Sequence, residues 1–100
     1  MTLNQFKARF PDVYSKYAST SYALQKQKPL LNRIREFLYS QGIEIILTPD
    51  EDSLYYFPTI KFTDNRPEKR FDEYKVKPMQ KALNYGVESA LAYLETGFYN

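Results

Sequence analysis

Residues 79–94 constrain this chain more than any other stretch. Met79, Ala82, Leu83, Gly86, Val87, Ala90, Leu91 and Leu94 recur at three- and four-residue steps, which places them on one face of an α-helix. Pro78 stands at the start of that helix and Gly97 just past its expected end. This is the arrangement that suits proline's fixed φ and glycine's access to the left-handed region. An apolar stripe this broad needs a surface to cover. Gly86 lies within it, where glycine costs about 1 kcal/mol against alanine in helix propensity. The expected gain is close approach of the helix to whatever it covers.

That surface is encoded upstream. Ile43-Glu44-Ile45-Ile46-Leu47-Thr48 is short and β-branched and reads as a strand. Pro49-Asp50-Glu51-Asp52-Ser53 is a turn. Residues 54–63 form the return strand, with Leu54, Tyr56, Ile60 and Phe62 on one alternating face. Pro58 falls inside this strand, and because proline has no N–H to donate, an edge position or a bulge is expected there. Asp64-Asn65-Arg66-Pro67 turns the chain again, and residues 70–76 read as a third, more polar strand.

Helices precede the hairpin. Lys28-Pro29 opens one and Gly42 closes it. Leu30, Leu31, Ile34, Phe37 and Leu38 form its inner face, and Lys28, Asn32, Arg33, Arg35 and Glu36 lie on its other sides. Nearer the start, Thr2 and Gln5 have capping-box spacing, and Leu3, Phe6 and Phe10 form a short stripe. Pro11 interrupts that helix and starts a second piece, which runs through Tyr14 and Tyr17 to about Ala18. Ser19-Thr20-Ser21 then reads as a break or a new cap. The order α-α-β-β-(β)-α makes a single α+β domain over residues 1–100. Its two layers are a small antiparallel sheet of two or three strands and helices covering one face of it.

Composition narrows the chemistry. The chain has no Cys and no His, so a thiolate or imidazole metal site and a Ser–His–Asp triad within these residues are excluded. Acid–base work could fall only to Glu44, Asp72 and Glu73, and no spacing brings two of them to one cleft. Binding is therefore expected rather than catalysis, with no cofactor. No apolar run approaches the roughly 20 residues that span a bilayer, and the first residues lack a signal-type core. A cytoplasmic location with no membrane partner follows as an expectation.

Charge is unevenly distributed. Residues 1–41 hold seven Lys/Arg against two acids, whereas residues 42–62 hold one Lys against four acids. The basic excess marks a helical face of Lys26, Lys28, Arg33 and Arg35, with Lys7, Arg9 and Lys16 as further candidates. There phosphates could dock, and Tyr22 or Tyr39 could stack on bases. The acidic tip Asp50-Glu51-Asp52 offers oxygen ligands but lacks the glycine and spacing of a calcium loop, so a solvated turn is expected. Ten Tyr and seven Phe exceed what one small core needs. Successive strand side chains point to opposite faces, so with Tyr56 inside, Tyr55 and Phe57 are expected outside as an aromatic contact patch. The leading functional expectation is therefore binding of another protein, or self-association, through Tyr55, Phe57 or a sheet edge. The alternative is nucleic-acid binding through Lys26, Lys28, Arg33 and Arg35.

One resemblance bears on origin. Leu31-Asn32-Arg33-Ile34-Arg35-Glu36-Phe37-Leu38 running into Gly42-Ile43-Glu44-Ile45 is followed by a Tyr-rich strand. Phe71-Asp72-Glu73-Tyr74 comes next, and then Ala82-Leu83-Asn84-Tyr85-Gly86-Val87-Glu88-Ser89-Ala90-Leu91. This pattern, over about two thirds of the chain, is similar to a group of small uncharacterised proteins of bacteriophages and mobile elements of gut bacteria. In that group a helix, a short hairpin and an Ala-Leu-x-x-Gly-Ile/Val-x-x-Ala-Leu helix recur. The resemblance implies a small accessory protein and carries over no activity and no functional residue.

Overall fold

The computed structural model describes residues 1–50, 55–72 and 78–99. Helix α1 (Leu3–Arg9) begins with both halves of the capping box. Thr2 Oγ1 accepts from the Gln5 N–H at 3.2 Å, and Gln5 Oε1 accepts from the Thr2 N–H at 2.8 Å. Phe10 is non-helical (φ −133°, ψ 64°), and α2 (Pro11–Ala18) restarts with proline in its first turn. Phe10 supplies no side-chain cap. Glu95, from the far end of the chain, does so instead, accepting from the N–H groups of Asp12 and Val13 at 3.3 and 3.0 Å. A carboxylate there also complements the positive end of the helix. A short 3₁₀ turn (Ser21–Leu24) leads to α3 (Leu30–Ser40), which Gly42 terminates at φ +83°, a conformation that disfavours any residue with a Cβ.

Strands β1 (Ile43–Pro49), β2 (Tyr56–Phe62) and β3 (Lys69–Arg70) form an antiparallel sheet in the order β1-β2-β3. The third strand begins one residue earlier than expected and, among the described residues, ends at Arg70. The rest of that expected strand, from Glu73 to Val76, lies outside the described residues, as do Glu51, Asp52, Ser53 and Leu54 of the hairpin tip. Ile43 pairs with Phe62, Ile45 with Ile60 and Leu47 with Pro58.

Pro58 is therefore in the central strand, not at an edge, and the register explains why it is tolerated. The Thr63 N–H donates to Gly42 and the Asp50 N–H to Tyr55, so odd-numbered residues of β2 bond to β1 and even-numbered ones face β3. On that side Phe71 donates to the Pro58 carbonyl at 3.0 Å. The reciprocal bond of that pair is the one proline cannot make. No β1–β2 bond is lost, and the β3 ladder stops at this point.

Helix α4 (Met79–Thr96) lies across β1 and β2 and also touches α2 and α3. Val87, Ala90 and Leu91 are fully buried, as the stripe predicts. Met79, the first residue of the helix and of the stripe, is 52% exposed. Gly86 sits where the helix crosses the strands. A Cβ there would lie 2.7 Å from Ile45 Cγ2 and 2.9 Å from Pro58 Cβ, inside van der Waals contact. Phe6, Phe10, Val13 and Tyr17 from the N-terminal helices and Ile34, Phe37 and Leu38 from α3 complete the core. The Tyr17 ring packs edge-on against Phe37 at 5.7 Å. At the other end Tyr99 docks, stacked on Tyr93 at 4.9 Å and edge-on to Phe71 at 5.5 Å.

Two predictions follow from this packing. Gly86→Ala should gain about 1 kcal/mol of helix propensity and lose about 1–3 kcal/mol to overpacking against the rigid Pro58 ring. The expected net loss lowers the thermal midpoint by about 4–8 °C per kcal/mol, read by calorimetry. The second concerns Tyr17, whose hydroxyl pKa is raised by burial, with the Arg33 guanidinium opposing in part. The unfolded chain then releases this proton near its ordinary value of about 10 while the folded chain keeps it. The stability it contributes is present below that pH and is lost as pH rises towards the folded value. Tyr17→Phe should therefore lose less stability than the native chain between about pH 9 and pH 11 in urea titrations. A residual alkaline loss is expected from Tyr99, whose pKa is raised first by burial and then by the neighbouring Tyr93.

Candidate functional site

The sequence singled out two surfaces, and the structure treats their residues differently. Tyr55 is 40% exposed, but Phe57 is only 5% exposed. Phe57 and Thr59 do point away from the helices, yet both are buried, because β2 is the central strand and is flanked on that face by side chains of its neighbours. The Arg70 guanidinium lies 4.1 Å from the Phe57 ring centroid. The expected aromatic patch reduces to Tyr55.

The basic face also divides. Lys26 is exposed. Arg33 is a clamp: it donates to Tyr17 Oη at 3.2 Å, to the Ala23 carbonyl at 3.4 Å and to the Lys28 carbonyl at 3.2 Å, tying the 3₁₀ turn to α3. Lys28 is held by Glu36 at 2.9 Å. Nearer the start of the chain, Lys7 lies over the Tyr14 ring and Arg9 pairs with Glu88, so neither joins Lys28 and Arg35.

Among the acid–base candidates, Glu44 is exposed and stands opposite Lys61 in register. Asp72 is paired with Arg70 at 2.6 Å. Glu73 lies outside the described residues, as do Glu51 and Asp52 of the acidic tip. Among the described residues no cluster of three or more His, Cys, Asp or Glu could hold a metal ion, and no helix is long and apolar enough to cross a membrane.

What the structure does assemble is a groove of about 600 Å³ between α3 and β1. One wall is a single face of α3: Asn32, Arg35, Glu36 and Tyr39 recur at three- and four-residue steps and so point the same way. The other wall is β1 at Ile43, Glu44 and Ile45, and Tyr22 and Lys28 close one end. Lys28 and Arg35 from the basic face, and both tyrosines proposed for stacking, thus come together. Lys26 and Arg33 do not line the groove.

β1 is an outer strand, and the same register that tolerates Pro58 sets what it shows. Glu44, Ile46 and Thr48 direct their main-chain groups to β2, as do the Gly42 carbonyl and the Asp50 N–H, so Ile43, Ile45 and Leu47 direct theirs outward. The donor met there is Arg35, whose Nη2 approaches the Ile45 carbonyl oxygen at 3.5 Å, a long hydrogen bond. Glu36 Oε1 takes Lys28, while Glu36 Oε2 is buried with no donor among the described residues. Sequence reasoning missed Asn32 and Glu36 as groove residues and missed the edge itself. The polar stripe 32, 35, 36, 39 was the available signal for the helix wall. No family model, no curated protein and no solved structure matches this chain.

An outward edge has a direct signature. The amides of Ile43, Ile45 and Leu47 should exchange with deuterium at least about tenfold faster than those of Glu44, Ile46 and Thr48. Uniform protection along β1 in exchange NMR would mean that the edge is already paired.

Proposed function

We propose that this is a small accessory protein, of phage or mobile-element type, which acts by binding another protein. The bound segment is extended and adds to the sheet as a strand beside β1, in the α3 groove. The observation that carries this reading is the outward set of main-chain groups at Ile43, Ile45 and Leu47 bordering the groove. Strand addition draws its affinity from such main-chain groups and its selectivity from pockets for alternate side chains. The five residues from Ile43 to Leu47 offer an edge of about 13 Å. The groove lies within the roughly 300–1,000 Å³ range of clefts that hold ligands. Sheet edges are commonly blocked by charge, proline or a covering element; here α3 flanks the edge and leaves space beside it. The resemblance to small phage and mobile-element proteins supports the accessory role, and a cytoplasmic location belongs to the same reading. Tyr55 is a secondary contact in it.

A nucleic-acid-binding module is the second reading, favoured by one observation: Tyr22, Tyr39, Lys28 and Arg35 line a single groove. Aromatic rings with cations can stack bases and hold phosphates. Glu36 weighs against it, because its carboxylate already holds Lys28 and leaves the groove with Arg35 alone to follow a chain of phosphates.

Affinity capture from the native host, with and without nuclease, separates the two. A partner that survives nuclease, and is lost with the exposed pair Arg35→Gln and Tyr39→Ala but kept with Tyr55→Ala, is the expected result. Capture abolished by nuclease supports the second reading. Capture indifferent to the groove substitutions removes the groove from both.

A further inference from the structure

The groove also specifies ligand chemistry. Resting on the strand-addition reading, we propose that the strand it accepts carries a carboxylate side chain seated against Arg35. The chain holds its five arginines in different ways. Arg9 lies over Phe10 and pairs with Glu88. Arg66 lies over Phe62 at 4.1 Å and pairs with Asp64 at 2.9 Å. Arg70 lies over Phe57 and pairs with Asp72. Arg33 is engaged by a hydroxyl and two carbonyls. Among the described residues Arg35 has neither ring nor carboxylate, only the Ile45 carbonyl at 3.5 Å.

That carbonyl is one of the outward groups a new strand would use. When a ligand N–H takes it, Arg35 loses its acceptor at the moment water leaves the groove, and a desolvated guanidinium without a partner is costly. The other charges do not compensate. Glu36 is engaged by Lys28. Glu44 borders the groove, but its side chain alternates to the strand face opposite Ile43 and Ile45, towards Lys61, and forms no ion pair with Arg35 among the described residues. A carboxylate from the ligand meets the guanidinium with two parallel hydrogen bonds. The buried Glu36 Oε2, which lacks a donor among the described residues, is left to accept an N–H or O–H of the same ligand.

The parity of β1 argues for a foreign peptide over a second copy of the chain. Only odd-numbered residues of β1 bond outward, so an antiparallel copy pairs odd with odd. Its Glu44, the acid within that strand, then falls on the far face and leaves Arg35 unmet.

The test uses the labelled full chain and three blocked five-residue peptides of alternating valine and threonine. They differ only in a central glutamate, glutamine or lysine. Heteronuclear NMR titration should show protection of the Ile43, Ile45 and Leu47 amides, with the glutamate peptide bound about tenfold more tightly than the lysine peptide. Arg35→Gln should erase that preference while leaving the glutamine peptide's affinity within about twofold of native. Equal affinities with the edge amides still protected would overturn the carboxylate claim and leave strand addition standing. No protection by any peptide would overturn strand addition itself. Protection that appears with protein concentration alone assigns the edge to a second copy. An oligothymidylate that shifts Tyr22 and Tyr39 while the edge amides stay unprotected assigns the groove to nucleic acid. Either of these last two outcomes refutes the proposal.

Discussion

The contact on which the rest of this structure depends is the crossing of α4 over the sheet at Gly86. There the helix backbone meets Ile45 and Pro58 with no side chain between them. The crossing centres α4 on β1 and β2 and fills the middle of the helical layer. α3 is left to pack beside β1, burying Ile34, Phe37 and Leu38. A helix in that position turns a second, polar face along the strand's edge. The groove lies beside that crossing, and the residue that permits the close approach of α4 lies in a different part of the chain from those that line the groove.

Proline in the middle of a sheet would ordinarily argue against the strand. Here the parity of the ladder resolves the conflict. Pro58 faces β3, where its missing N–H ends a two-residue ladder, while β1–β2 pairing runs unbroken from Ile43 to Pro49. The same parity leaves Ile43, Ile45 and Leu47 facing out. One register therefore accommodates the proline, shortens β3 and sets the outward pattern of β1.

The aromatic and charged excess has a common physical use. Three arginines lie on phenylalanine rings with a carboxylate completing each arrangement. A guanidinium can cover an aromatic face and keep its edge hydrogen-bonded at the same time. That is how Phe57 comes to be buried on a face where alternation alone would expose it. Local charge pairs such as Asp64–Arg66 and Arg70–Asp72, two residues apart, hold the guanidinium groups in place; the Arg66 partner keeps the Asp64 carboxyl below its ordinary pKa. Arg33 and Arg35 stand outside this pattern: Arg33 is held by a hydroxyl and two carbonyls, and Arg35 reaches the Ile45 carbonyl at the sheet edge.

Much of the architecture follows from local rules acting on the sequence alone. The capping box at Thr2, the restart at Pro11, the boundaries at Pro29, Gly42, Pro78 and Gly97, and the buried faces of α3 and α4 each depend on residues within a few positions of one another. Backbone geometry and apolar periodicity are enough to specify them. What required the tertiary structure were features set by distant partners. The central place of β2 depended on a third strand reduced to two residues. The burial of Phe57 depended on Arg70. Arg33 became a clamp through contact with Tyr17, and a helix face and a strand edge became one groove. Periodicity tells which side of an element turns inward, but it carries no information about which other element stands beside the side that turns out.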